Sequence, residues 1–235
     1  MTPDFMWPSD LNPSTVSFYL QAHVGGQESP ITRTTKKYGL SRPRFVCKMT
    51  FKASWRGGVG TMGRGGRLDA LIAEMEGGLY SIGLWDFRRP FPAGLRRYYA
   101  QFAGTRYPFA GGETFALGER FVIPGDAEPV NEPAAAGATA MTFTGFRAGE
   151  LVFLAGDYVG GDGRTHLILG DAAADDSGRA TIRFKPPLEV ALAAGAARTM
   201  QPISPFQLTS DDAGDNQSSA NGQASYSLEF HEKMI

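Results

Sequence analysis

The sequence predicts a mainly β protein with one amphipathic α-helix, built as a split β-sandwich that carries an inserted small β-domain. Three observations lead there. Gly and Pro together are 45 of 235 residues, above ordinary usage and without a repeat period, so the chain turns often. Phe 16, Tyr 8 and Trp 3 supply the aromatic residues that favour pleated, half-buried surfaces. Only one stretch has a helical period, whereas several have a period of two. The predicted organisation is a first domain over 1–125 plus 205–235, interrupted by a second over 126–204.

Taken in order, residues 14–20 (STVSFYL) read as a strand. Residues 21–43 read as polar and turn-rich, with Gly25-Gly26 and Ser41-Arg42-Pro43 as the turn signals. Phe45, Cys47, Met49, Phe51, Ala53 and Trp55 then alternate with Val46, Lys48, Thr50, Lys52 and Ser54. That is a long strand with one apolar face and one lysine-bearing face. Residues 57–66 hold six glycines. Leu68, Leu71, Ile72 and Met75 fall at i, i+3, i+4 and i+7, which predicts a helix over about 66–76 stopped by Gly77-Gly78. Leu79–Trp85 is the next strand, ended by Arg88-Arg89-Pro90. A strand is expected at 119–123 and an acidic, Pro- and Ala-rich linker over 126–140. Short strands follow near 141–146, 151–154, 165–170 and 179–185, separated by Gly- and Asp-bearing turns, the pattern of a small sandwich or barrel. Residues 209–223 read as a polar loop, and Tyr226, Leu228 and Phe230 alternate as a last strand that returns to the first domain.

Several function classes drop out. One cysteine excludes a disulfide scaffold and a multi-cysteine metal or cluster site. No apolar run is long enough for a membrane span, so no membrane partner is expected. The N-terminal residues lack a basic segment followed by an apolar one, and no export signal is expected there. The net charge is −1, but it is unevenly spread. Residues 1–125 carry 16 Lys and Arg against 9 Asp and Glu, net +7, and residues 126–235 carry 7 against 15, net −8. Such a dipole bears on association rather than on fold.

The motifs that could carry chemistry are few. Gly58-Val59-Gly60-Thr61-Met62-Gly63 is a formal G-x-G-x-x-G between a strand and a helix, with Asp86 at the end of the next strand. A dinucleotide-binding strand is buried on both faces and continuously apolar. The strand here alternates and carries Lys48 and Lys52, so a glycine-rich turn is the better reading. Arg88, Arg89, Arg96 and Arg97 interleave with Trp85, Phe87, Phe91, Tyr98 and Tyr99. That composition suits a protein interface, single-stranded nucleic acid or a solvated turn over core aromatics; no nucleic-acid partner is expected. His166 has Asp157, Asp162 and Asp171 nearby in sequence, yet their spacing matches no metal loop. Cys47 falls on the apolar face and reads as an inert buried thiol. Paired carboxylates at Glu74/Glu76 and Asp211/Asp212 sit on a helix and in a loop, without opposed geometry. No catalytic residues, cofactor or metal are expected, and the chain is not read as an enzyme.

A resemblance joins these pieces. Ser29-Pro30-Ile31-Thr32, the long amphipathic strand ending in Trp55, the helix L-x-A-L-I-A-E-M-E-G and the run L-W-D-F-R-R-P-F-P-A-G occur in that order. They are followed by A-G-D-Y-V at 155–159, H-L-I-L at 166–169 and D-x-x-G-R-A-T-I-R-F-x-P-P-L at 175–188. The order over roughly 14–230 resembles tail structural proteins of long-tailed bacteriophages and prophages, of the distal-tail (tail-tip or baseplate ring) type. The six-glycine stretch at 57–66 is a departure from that pattern. The resemblance implies a virion protein forming a ring, with six copies as the family-like number, that joins tail tube to tip or baseplate. It implies tube and hub or tip proteins as partners, assembly in the host cytoplasm, and no catalytic residue. The interface residues expected on this reading are Lys48, Lys52, Trp85, Asp86, Arg88, Arg89, Arg96 and Arg97. The alternative is a carbohydrate- or receptor-binding module whose exposed Tyr158, Tyr107 and Trp7 stack on sugar rings. A nucleotide enzyme built on Gly58–Gly63 is the third.

Overall fold

The computed structural model describes residues 2–53, 64–95, 130–213 and 224–234. Trp55, Gly58–Gly63, Arg96, Arg97, Tyr107 and the strand expected at 119–123 lie outside these. The chain divides into two compact units, Met1–Arg88 with Ile203–Ile235 and Arg89–Pro202. In chain order the elements are β1 (Phe5–Met6), β2 (Thr15–Glu28), β3 (Thr35–Ala53), α1 (Arg64–Glu74), β4 (Ile82–Leu84), β5 (Val130–Asn131), β6 (Ala140–Thr144), β7 (Leu151–Phe153), β8 (Tyr158–Gly160), β9 (Thr165–Ile168), β10 (Ala172–Ala173), β11 (Arg179–Lys185), β12 (Ser204–Leu208) and β13 (Ala224–Glu232). The protein is therefore mainly β with a single α-helix among the described residues, as the composition and periodicity predict.

The first unit is built on a six-stranded sheet of order β1-β4-β12-β13-β3-β2. The C-terminal β13 runs antiparallel to β3, from His231 opposite Val46 to Ala224 opposite Ala53, and pairs with β12 on its other side. Alternation sorts the faces. Phe45, Cys47, Met49 and Phe51 of β3 share a buried face with Tyr226, Leu228 and Phe230 of β13, Phe18 of β2 and Phe206 of β12. Trp7 closes over it, stacked on Phe51 at 5.7 Å and edge-on to Phe230 at 6.2 Å, with its indole N–H donated to the Leu11 carbonyl at 2.7 Å. The helix buries the stripe read from its period, Leu68, Leu71, Ile72 and Met75, and Asp69 is hydrogen bonded to the Tyr226 phenol on β13. A short 3₁₀ turn at Glu76–Gly78 ends it. Gly78 is required there: its φ is +92° and a Cβ would stand 2.6 Å from the Leu208 carbonyl oxygen.

The turn-rich expectation for 21–43 is corrected. β2 runs on to Glu28 and β3 begins at Thr35, so these residues form a hairpin, closed at Ser29–Thr34 by the Ser29 and Arg33 amides. The glycines and the proline that look like turn signals are accommodated inside the strands. Tyr38 covers Gly25 directly across the ladder, where a Cβ would stand 2.9 Å from its ring. Pro43, which has no amide to donate, falls in a bulge.

The second unit contains a five-stranded sheet, β5-β6-β11-β9-β8, and the two-stranded β7-β10. β11 alternates strictly, with Ala180, Ile182 and Phe184 in the core and Arg179, Thr181, Arg183 and Lys185 outside. That core also holds Leu95, Phe143, Phe153, Val159 and Ile168. Two expectations change. Residues 89–95 belong with this unit, because Leu95 is buried in its core. The described part of the 126–140 stretch is folded rather than a linker. Asn131 is buried, accepts from the Ala197 amide and donates to the carbonyls of Glu132 and Ala193, while Ala134 bridges to Leu192. One amide side chain satisfying three backbone groups outweighs the low apolar content of the stretch.

Truncating the core and trimming the hairpin should differ sharply. Phe230→Ala is expected to cost about 3–5 kcal/mol of unfolding free energy, whereas Tyr38→Ala, on an exposed surface, should stay within about 1 kcal/mol. Chemical denaturation of the two variants checks both.

Candidate interaction surface

Past Phe45, β3 loses β13 as a neighbour and keeps only β2. The ladder ends on a carboxylate. Glu232 lies on the apolar face, 3% exposed, and its Oε2 accepts the Phe45 amide at 2.9 Å. Beyond that point residues 21–28 and 35–44 form a two-stranded ribbon, about 26 Å long at the usual rise per residue. From Gln21 to Arg42 every residue is exposed except the half-buried Gly25 and Ser29. Val24, Ile31, Tyr38 and Leu40 are more than half exposed, Ile31 at 91%. The ribbon is basic, with Arg33, Lys36, Lys37, Arg42 and Arg44 against Glu28.

At its root the register slips twice. Gln21 faces Arg44, His23 faces Ser41 and Val24 faces Gly39, so β3 carries two extra residues. Such bulges twist a strand and re-aim its side chains. Here His23 Nδ1 meets Ser41 Oγ at 2.7 Å, and Arg44 Nε donates to Gln21 Oε1 at 3.3 Å. These residues, with Ala22, Arg42 and Met234, line a cavity of about 570 Å³. On β13, His231 is held below the ordinary histidine range, first by burial and next by the Arg44 charge.

The residues expected at an interface scatter. Lys48 is exposed on the polar face and pairs with Glu229 directly opposite at 2.9 Å. That pair lowers the Glu229 carboxyl and raises the Lys48 ammonium, but an exposed pair adds little stability. Lys52 pairs through its backbone with Ser225. Trp85 and Asp86 are buried, which corrects the expectation that they face a partner. Asp86 holds a turn: it accepts Arg88 N at 3.0 Å and Arg88 Nε and Nη2 at 2.9 Å each, while Arg88 Nη2 also donates to the Phe18 carbonyl. Arg89 is internal to the second unit. It donates to the Gly156 carbonyl and to the Tyr158 hydroxyl, with its guanidinium 4.6 Å from the Tyr158 ring centroid. The sugar-stacking platform is likewise corrected, because Trp7 is 4% exposed and Tyr158 3%. Both are core aromatics whose polar ends found partners. The hairpin and its root were missed as a site; the basic run with Val24, Tyr38 and Leu40 was the available signal, masked by Gly and Pro.

Among the described residues no three His, Cys, Asp or Glu side chains converge as a metal centre requires, and no helix is long and apolar enough to cross a membrane. His166 is fully buried. Its Nδ1 lies 2.7 Å from the Pro186 carbonyl and its Nε2 2.9 Å from Asp162 Oδ1. A carbonyl only accepts, so Nδ1 is the donor to Pro186, and Nε2 faces the carboxylate. Asp162 also accepts the amides of Arg164 and Glu189, and Arg164 pairs with Glu189 at 2.7 Å. Burial alone would raise the Asp162 carboxyl, but the bond and charge of His166 and the two amides together hold it below the ordinary value. Asp157 does the opposite: burial raises its carboxyl, though it accepts the Leu154 amide. Of the three aspartates near His166 in sequence only Asp162 bonds to it, while Asp157 and Asp171 accept the adjacent Leu154 and Ala155 amides, and the Asp171 charge adds to the rise of the Asp157 carboxyl. Cys47 is fully buried, and burial, helped by the Asp86 charge, pushes its thiol up to about 12.

No protein-family model matches the chain, and no curated protein matches it.

Two outcomes follow from these buried groups. The stability that Asp162 contributes is present above its unfolded pKa of 3.8 and is lost as pH falls through the lower folded value. Thermal melts from pH 6 to pH 2 should therefore fall more steeply for the wild type than for Asp162→Asn, which starts lower. Cys47 should react with a thiol reagent at pH 8 at least about 100-fold more slowly in the folded protein than after denaturation.

Proposed function

We propose that the chain is a virion structural protein of a phage tail, of the distal-tail type, assembling from copies of itself into a ring that joins tail tube to tip. The observation that carries this reading is the hairpin ribbon. An isolated two-stranded hairpin is marginal in water, and this one exposes both faces and four large apolar side chains. An element of that kind suits a contact with another chain. The ordered motif resemblance supplies the tail.

Tailed particles purified from the strain that carries the gene provide the test, by peptide mass spectrometry and antibody labelling. The expected result is this chain in fixed proportion to the tail tube protein, with label at the distal end of the tail. Particles that lack the chain contradict the proposal.

A further inference from the structure

We infer that the free edge of β2 is a self-pairing site, at which residues 21–28 of one copy lie antiparallel beside the same residues of a second copy about a two-fold axis at Gly25. The inference rests on the self-assembly in the reading above and specifies one of its contacts. A two-fold contact pairs copies and stands beside the contact that closes a ring.

The phase of the hairpin ladder fixes what this edge offers. Ser29 donates its amide to the Thr34 carbonyl at 3.0 Å. Bonded and non-bonded pairs alternate from there, so Gln27 with Lys36 and Gly25 with Tyr38 exchange hydrogen bonds across the ribbon. Val24, Gly26 and Glu28 turn their N–H and C=O groups the other way, where β2 is the outermost strand. Nearer its start the strand is covered by Arg88, which donates to the Phe18 carbonyl. From Gln21 to Gln27 it carries no Lys, Arg, Asp, Glu or Pro, the residues that ordinarily keep an edge from pairing.

Length and charge select the occupant. The other edge strands among the described residues, β1, β5, β7, β8 and β10, are two or three residues long, so the edge that matches β2 is β2 of a second copy. Paired about Gly25, the strand sets Val24 against Gly26, His23 against Gln27 and Ala22 against Glu28, and no two like charges meet. The outward groups of Val24 and Gly26 meet outward groups, as a ladder requires. The side chains place the axis. Tyr38 reaches across to Gly25, where a Cβ would stand 2.9 Å from its ring and 3.2 Å from its hydroxyl oxygen, and it is still 56% exposed. An axis at Gly25 brings the two Tyr38 rings together over paired glycines. On the opposite face each Val24 fills the space over the partner's Gly26, along the stem of the partner's Lys37. Glycine inside a strand often marks a close approach of another backbone, and Gly25-Gly26 then has that use. A contact of this extent stays below about 1,200 Å², the class of transient interfaces, so pairing rises with concentration.

The test uses the full chain. His23→Cys and Gln27→Cys proteins, one labelled with ¹⁵N, are mixed and mildly oxidised, and disulfide-linked peptides are quantified by mass spectrometry. In the pairing these two positions form a non-hydrogen-bonded pair with Cα atoms about 4.5 Å apart, within disulfide reach. Each position lies about 14 Å along the strands from its own counterpart. The native Cys47 is buried and does not compete. The expected result is a mixed link between positions 23 and 27 at least about tenfold more abundant than either like link. In parallel, Val24→Pro removes an outward amide and Val24→Lys sets a charge beside the partner's Lys37. Each should weaken self-association measured by light scattering at least about tenfold while melting like the wild type. Ile31→Ala, at the exposed hairpin tip and outside the pair, should change it less than about threefold. Association unchanged in both Val24 variants, or a mixed link no more abundant than the like ones, overturns the pairing and leaves the assembly reading standing. A wild type that stays monomeric at every concentration overturns both.

Discussion

The pairing of β13 with β3 is the constraint on which the first unit depends. Residues separated by about 180 positions in sequence must meet over an unbroken ladder before Phe45, Met49 and Phe51 have anything to pack beside. Closing such a span is entropically costly, though the cost grows only slowly with length, so an inserted unit of more than a hundred residues is tolerated between β4 and β12. What offsets it is one continuous apolar face shared by β2, β3, β12 and β13. Trp7 and the helix stripe cover that face. The insertion does not interrupt the ladder, because β12 and β13 re-enter the sheet between β4 and β3.

Where that ladder stops, the character of the chain changes. Glu232 substitutes its carboxylate for the next backbone acceptor of β13, and β3 continues with β2 alone. Exposed edge strands are ordinarily blunted by charge or proline. β2 instead runs from Thr15 to Gln27 without a charged residue, and the Lys, Arg and Pro residues lie on β3. Arg88 covers β2 at the Phe18 carbonyl, but the Gln21–Gln27 stretch carries no Lys, Arg, Asp, Glu or Pro, and with exposed Val24, Tyr38 and Leu40 on the ribbon it is consistent with an element completed by another chain.

Much of the fold was legible in the sequence. The period-two runs mark the second half of β3 and the middle of β13, the spacing of turn signals marks β11, and the i, i+3, i+4, i+7 stripe marks α1 within two residues at either end. The hairpin was hidden because glycine and proline have two meanings. Gly25 is there to admit Tyr38 across the ladder, and Pro43 marks a bulge, whereas both read locally as turns. Residues 130–140 failed for a related reason: they bury little, but Asn131 ties three backbone groups together, which no hydropathy pattern reports. The candidate site was less legible than the fold. Arg88, Arg89, Trp85 and Tyr158 have the composition of an interface, yet each is used to hold its own unit, because Asp86, the Phe18 and Gly156 carbonyls and the Tyr158 hydroxyl lie within reach only after folding. Lys48 and Arg44 share a strand and a charge, but one meets Glu229 across the ladder and the other opens on a cavity; the difference lies in the register, which is not written in either residue.

Hydrogen–deuterium exchange of the full-length protein over a range of concentrations tests the central claim that the ribbon is completed by a second chain. The amides of residues 22–28 and 35–42 should exchange fast in dilute protein and become protected as concentration rises, while those of β13 stay protected throughout. Exchange in the ribbon that is equally fast at every concentration, including those at which the protein is associated, would contradict the account.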